Sequence, residues 1–180
     1  MLGDSISAGY GIQREAGWVT RLEARVAALD PAWKVVNASV SGETTGGGLA
    51  RLPAALELHD PAVVVIELGG NDALRGYPLA RIRENLERMV SLTRDAGRDV
   101  LLVGMQIPPN YGPRYSQGFA SLFTAVAEQH AVPLVPFLLE QVALSPRLMQ
   151  EDGIHPTADA QPLLLETIWP HLEPLLEAPD

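Results

Sequence analysis

The chain contains no cysteine. That one absence removes disulfides, thiolate metal sites and a cysteine nucleophile together. Basic residues are scarce beside acidic ones: 13 Lys and Arg against 22 Asp and Glu give a formal net charge of -9. Such a balance disfavours nucleic acid and anionic membrane surfaces, whose phosphates attract a basic face. No apolar run is long enough to span a bilayer. No basic segment leads into an apolar one, so no signal peptide is read here, and no stable membrane insertion is expected. Repeats, linkers and low-complexity stretches are also missing. Gly46-Gly47-Gly48 is rich in glycine, but no Gly-x-Gly-x-x-Gly follows the first apolar residues, which argues against a dinucleotide-binding domain.

What remains is a chain of 180 residues, 47% hydrophobic, long enough for a single domain with a proper core. Residues Trp18 to Leu29 have helical spacing and are expected to stop at Asp30-Pro31. Lys34 to Ala38 reads as a short strand, followed by a loop over Ser39 to Glu43. Thr44 or Thr45 is expected to cap a helix through Leu49, Leu52 and Leu56, with a kink or late start at Pro53. Ala62 to Leu68 is apolar and β-branched, the pattern of a parallel strand covered on both faces. Pro78 to Ala96 is an amphipathic helix ended by Gly97, and Val100 to Met105 a second buried strand. Gly118 to His130 reads as helix, Val132 to Phe137 as strand, Met149 to Thr157 as loop, and Ala160 to Leu176 as the closing helix. Strand and helix alternate, so the expected class is α/β: five parallel strands in flavodoxin-like order, the first strand central, with helices on both faces.

In that architecture the loops after the strands gather at one edge of the sheet. The first carries Gly3-Asp4-Ser5-Ile6-Ser7, where Ser5 sits as a strand turns into a helix. The second carries Gly42, the third Gly69-Gly70-Asn71-Asp72, and a late loop Asp152-Gly153-Ile154-His155-Pro156. Each block alone also reads as an ordinary polar turn. Together they supply the parts of acyl transfer. A serine hydroxyl needs a base to take its proton, and His155 is the candidate, with Asp152 three residues upstream to orient the imidazole. The other histidines, His59, His130 and His171, read as surface or helix-end residues. The Ser5 and Gly42 N–H groups and the Asn71 amide are candidate donors to the developing oxyanion. Asp72 reads as structural, bonding loop amides. A metal site at Asp152, His155 and Asp159 is an alternative without further support. Ile107, Pro108 and Tyr111 are expected to form an apolar, stiff wall for an acyl chain.

These four blocks, in this order, resemble the SGNH (GDSL) hydrolase superfamily. The stretches Val36-Asn37-Ala38-Ser39, Gly48 to Pro53, Glu67 to Asp72 and Pro109-Asn110-Tyr111-Gly112 resemble its bacterial periplasmic branch of arylesterases, acyl-CoA thioesterases and lysophospholipases. The resemblance covers nearly the whole chain. It implies Ser5 as nucleophile, His155 as base, Asp152 as its orienter, oxyanion donors at Ser5, Gly42 and Asn71, and no cofactor. It also implies a small acyl ester or thioester as substrate and a periplasmic or secreted location; a monomer is expected, and a cytoplasmic location if Met1 is the true start. Members usually carry a longer first strand and an export signal before it; here only Met1 and Leu2 precede Gly3. Two competing readings are a carbohydrate O-acetylesterase and a non-catalytic binding protein on the same fold.

Overall fold

The computed structural model describes residues 1–29 and 31–177. Four strands form one parallel sheet in the order β1-β2-β3-β4: β1 Leu2–Gly3, β2 Val63–Glu67, β3 Asp99–Val103 and β4 Leu134–Val135. The register pairs Leu2 with Ile66, Val64 with Val100 and Leu102 with Leu134. The helices are α1 Ser5–Ala8, α2 Trp18–Ala27, α3 Thr45–His59, α4 Gly70–Leu74, α5 Leu79–Asp95, α6 Pro113–His130 and α7 Gln161–Leu172. On one side α5 lies between α3 and α6; on the other α2 packs on α7. Strands and helices close over a core that includes Trp18, Ile66, Leu86, Leu102, Phe119 and Phe123.

The expected fifth strand over Lys34–Ala38 does not form, and β1 is an edge strand rather than a central one. The segment nonetheless lies against the free side of β1. The Met1 nitrogen donates to the Val36 carbonyl at 2.8 Å, and the N–H groups of Ala38 and Val40 donate to the carbonyls of Met1 (2.9 Å) and Gly3 (3.0 Å). Because β1 offers only Leu2–Gly3, the ladder is too short to define a regular strand. This segment therefore occupies the place the flavodoxin-like order reserves for the second strand, and delivers Ser41-Gly42 to the same edge as Ser5.

Helix boundaries moved for local reasons. Thr44 is the cap of α3, accepting from the Gly47 N–H at 3.2 Å. The helix runs on through Pro53 with no late start; Pro53 is on the exposed side, where water can take the carbonyl it leaves free. Helix α6 begins at Pro113, five residues before the expected Gly118, since proline is preset for the first helical position. The closing helix ends at Leu172 and passes into a tight turn, Glu173–Leu175, around Pro174. Helix α2 ends at Ala27; the expected stop at Asp30 lies outside the described residues.

Candidate active site

Gly3 closes β1 beside Glu67, its partner in the register. A Cβ at Gly3 would stand 2.8 Å from both Glu67 Oε2 and Ser39 Oγ, so glycine is required here by crowding rather than by a turn. The chain then turns at once into α1. Asp4 caps this single turn, its Oδ1 accepting from the Ile6 N–H at 3.0 Å, which presents Ser5 at the helix start. Ser5 keeps 8% of its surface exposed while Asp4 keeps 2%.

The late loop comes from the far end of the chain and folds back over Ser5. It is closed by its own bonds: the Gln150 N–H donates to the His155 carbonyl at 2.8 Å and the Gly153 N–H to the Gln150 carbonyl at 2.9 Å. Asp152 Oδ1 accepts from the N–H groups of Ile154 (2.9 Å) and His155 (3.0 Å). Its Oδ2 lies 2.6 Å from His155 Nδ1. With Nδ1–H donating to that carboxylate, Nε2 is left as an acceptor, and it stands 2.8 Å from Ser5 Oγ. The sequence-predicted trio of Ser5, His155 and Asp152 thus forms one continuous hydrogen-bonded chain. Such a chain can take a proton from a hydroxyl as the oxygen attacks a carbonyl carbon.

The carboxyl of Asp152 is held down at about 2. Burial, the largest single influence, pushes it up; the bonds from the His155 ring and from the His155 and Ile154 N–H groups, with the imidazole's charge, together outweigh it. The acidic groups beneath Ser5 behave oppositely. Burial raises the Asp4 carboxyl, and bonds from Ile6, Glu67 and Asn71 only partly offset it. Glu67 is raised well above the ordinary glutamate value, first by burial and then by the charge of Asp4.

Gly42 and Asn71 arrive from the two neighbouring loops. Gly42 has φ +79 with nothing crowding its Cβ position, so backbone conformation, not close approach, demands glycine. Its carbonyl accepts from Arg75 Nη2 at 3.1 Å, joining this loop to the end of α4. Asn71 lies in α4 and donates one amide hydrogen to Asp4 Oδ2 at 3.1 Å, leaving the second free. Asp72 takes no part in the opening: it accepts from the Thr45 N–H (2.8 Å) and Oγ1 (2.6 Å), the structural role expected of it.

Ser5, Gly42, Asn71 and His155 all border one cavity of about 720 Å³. Ile107 and Pro108 line it as expected, but Tyr111 does not: the tight turn Pro109–Tyr111 carries it outward, 39% exposed. Much of the apolar wall was not foreseen and comes from the stretch after β4, through Phe137, Leu139, Ala143 and Leu144. That stretch is apolar but has neither helical nor strand period, so only its hydrophobicity marks it. Tyr10 was also missed; its ring lies 4.5 Å from the His155 ring, centroid to centroid. Gln150 ties the two together by donating to the carbonyls of Tyr10 (2.8 Å) and Pro156 (3.1 Å). His59 and His130 end α3 and α6, and His171 lies in the last turn of α7. Among the described residues no group of three His, Cys, Asp or Glu side chains is arranged to hold a metal ion, so Asp152, His155 and Asp159 do not make one.

Comparison with known proteins shows the family and the fold. The profile of the GDSL-like Lipase/Acylhydrolase family matches residues 1–162. Esterase TesA of Pseudomonas aeruginosa is 53% identical over 176 residues, 98% of this chain and 88% of that protein. Thioesterase 1/protease 1/lysophospholipase L1 of Escherichia coli K12 is 42% identical over 180 residues, 98% of this chain and 83% of that protein. The solved structure of the psychrotrophic esterase EstA from Pseudoalteromonas sp., inhibited by monoethylphosphonate, has a TM-score of 0.91 at 43% identity, covering 97% of this chain and 96% of that one. With a profile spanning most of the chain and relatives this similar over nearly all of it, the protein belongs to the GDSL-like lipase/acylhydrolase family.

Proposed function

We propose that the protein is a serine hydrolase of acyl esters and thioesters, working through an acyl-enzyme on Ser5. The observation that carries this reading is the chain Ser5 Oγ to His155 Nε2 (2.8 Å) to Asp152 (2.6 Å), opening onto a largely apolar cavity. His155 takes the Ser5 proton as Oγ attacks the acyl carbonyl, and Asp152 holds the ring in the required tautomer. The oxyanion is met by the Ser5 and Gly42 N–H groups and by the free hydrogen of the Asn71 amide. His155 then gives its proton to the departing alkoxide or thiolate. A water, deprotonated by the same imidazole, releases the acid and restores Ser5.

The cavity supports an acyl chain over a sugar as the occupant. Ile107, Pro108, Leu139 and Ala143 offer methyl and methylene surface and no hydroxyl partners. The relatives' names, an esterase and a thioesterase/lysophospholipase, point the same way. Family resemblance carries the expected location, periplasmic or secreted; among the described residues no helix is long and apolar enough to cross a membrane. A panel of p-nitrophenyl esters of rising acyl length, acyl-CoAs and acetylated sugars tests the reading. The expected result is kcat/KM rising from acetate to medium chains, with thioesters cleaved and acetylated sugars poor. A preference for acetylated sugars would replace this reading with that of a carbohydrate O-acetylesterase.

A further inference from the structure

Glu67 ends β2 fully buried, and among the described residues it forms no ion pair. Among the described residues its Oε1 finds no hydrogen-bond partner, and it is shut off from solvent. A buried carboxyl left half unpartnered opposes folding, and the rest of β2, Val63 to Ile66, is apolar. The position of its other oxygen gives it a use. Oε2 accepts from Ser7 Oγ at 2.7 Å and from the Asp4 N–H at 3.3 Å. Those two donors stand on either side of Ser5. Asp4 in turn holds the Asn71 amide at 3.1 Å through Oδ2. From the end of one strand, therefore, contacts run to the turn that carries Ser5 and on to Asn71.

We propose that Glu67 is a positioning residue for the reaction at Ser5: its carboxyl fastens the Asp4–Ser7 turn to the end of β2, so that Ser5 Oγ and the Asn71 amide keep a fixed spacing. This rests on the reading of Ser5 as nucleophile and Asn71 as oxyanion donor. Neither Glu67 nor Ser7 touches the substrate. Their effect is geometric, and a displacement of about 1 Å at a reacting centre is enough to cost about a hundredfold in rate. Oε2 of Glu67 accepts from Ser7 and Asp4 with no cation paired to the carboxyl among the described residues, so a neutral carboxamide of the same shape can replace it.

The test compares Glu67→Ala, Glu67→Gln and Ser7→Ala, with Ser5→Ala as control, using one p-nitrophenyl ester and the rate of inactivation by a phosphonate. Glu67→Ala should lower kcat about a hundredfold, with KM within about threefold, and slow phosphonate inactivation in parallel. Glu67→Gln should recover kcat to within about tenfold of the parent, because its carbonyl oxygen still accepts from Ser7 and Asp4. Ser7→Ala, which loses one small hydroxyl, should lower kcat about tenfold and decides the matter if Glu67→Ala does not fold. The inference is overturned if Glu67→Ala keeps its kcat per folded molecule, if the loss falls on KM, if Glu67→Gln is as impaired as Glu67→Ala, or if Ser7→Ala folds and is unimpaired. An active Ser5→Ala protein would instead remove the reading of Ser5 itself.

Discussion

Ser5 stands on a turn sunk between β1 and β2, whereas Asp152 and His155 stand on a loop that is closed by its own backbone and side-chain bonds. The first is built from long-range contacts, 60 residues apart in the case of Ser7 and Glu67. The second is built largely from contacts two to six residues apart, with Gln150 reaching across to Tyr10 and His155 to Ser5 as its long ties. The two regions also treat carboxylates in opposite ways. Asp152 is held down at about 2, while Asp4 and Glu67 are raised by burial. A carboxylate that must stay charged is placed where several donors converge on it; carboxyls that fix backbone geometry tolerate a dry interior. One face of the site is set by the global fold, the other by a local turn laid over it.

Breaking the local side should have the largest effect. His155→Ala removes the proposed base and is expected to lower kcat/KM by about 10⁴ or more, and Asp152→Asn by about 10³–10⁴, with folding unchanged in both. Steady-state kinetics and circular dichroism check this; an Asp152→Asn protein within tenfold of the parent would mean the loop alone fixes the ring. On the sheet side, Asn71→Ala should lower kcat about 10²–10³-fold with little change in KM, since an oxyanion donor acts mainly in the transition state. A raised KM with kcat intact would make Asn71 a binding residue. Smaller still is the acyl wall. Each added methylene contributes about 0.8 kcal/mol, or about fourfold in kcat/KM, until the cavity is filled. Ile107→Ser should flatten that series, and a series unaffected by the substitution would place the acyl chain elsewhere.

The contrast in charge sharpens into a contrast in pH dependence. Asp152 is lowered on folding, so its stabilisation is full above the unfolded value of about 3.9 and is lost as pH falls toward about 2. The Tm difference between the parent and Asp152→Asn should hold steady above about pH 4 and shrink below it. Glu67 is raised on folding, so the native state binds a proton that the unfolded chain has released, and stability declines as pH climbs above about 4.3. Glu67→Gln removes that decline, and its Tm relative to the parent should rise as pH climbs above about 4.3. Thermal unfolding across pH reads both; two curves of the same slope would erase the distinction.

How much of this was legible in the sequence follows the same division. The late loop was readable because its parts are adjacent: Asp152, Gly153 and His155 fall within one turn, which alone reads as an ordinary polar turn and gained a role only beside the Ser5, Gly42 and Asn71 blocks. Asn71 was readable as a polar break after the apolar run that forms β2, and Gly42 as a loop glycine after the segment Lys34–Ala38. Glu67 was not singled out, although a charged residue ending the run Val63-Val64-Val65-Ile66 was a visible signal; the use of a buried carboxyl depends on Ser7, which only the register brings near. The missing fifth strand and the edge position of β1 have one cause, the brevity of β1, which periodicity does not measure. Tyr111 was placed in the wall by its neighbours, but the tight turn at Pro109 rotates it away. Leu139, Ala143 and Leu144 carry no period at all and enter the cavity through the path of the chain after β4.

The central claim is that Ser5 becomes covalently acylated. The direct measurement is intact-protein mass after reaction with a fluorophosphonate, followed by peptide mapping, on the parent and on Ser5→Ala. The account predicts one adduct per chain, on the peptide containing Gly3-Asp4-Ser5-Ile6-Ser7, with activity lost in proportion, and no adduct on Ser5→Ala. An adduct on another residue, or Ser5→Ala protein that is labelled and still hydrolyses esters, would contradict it.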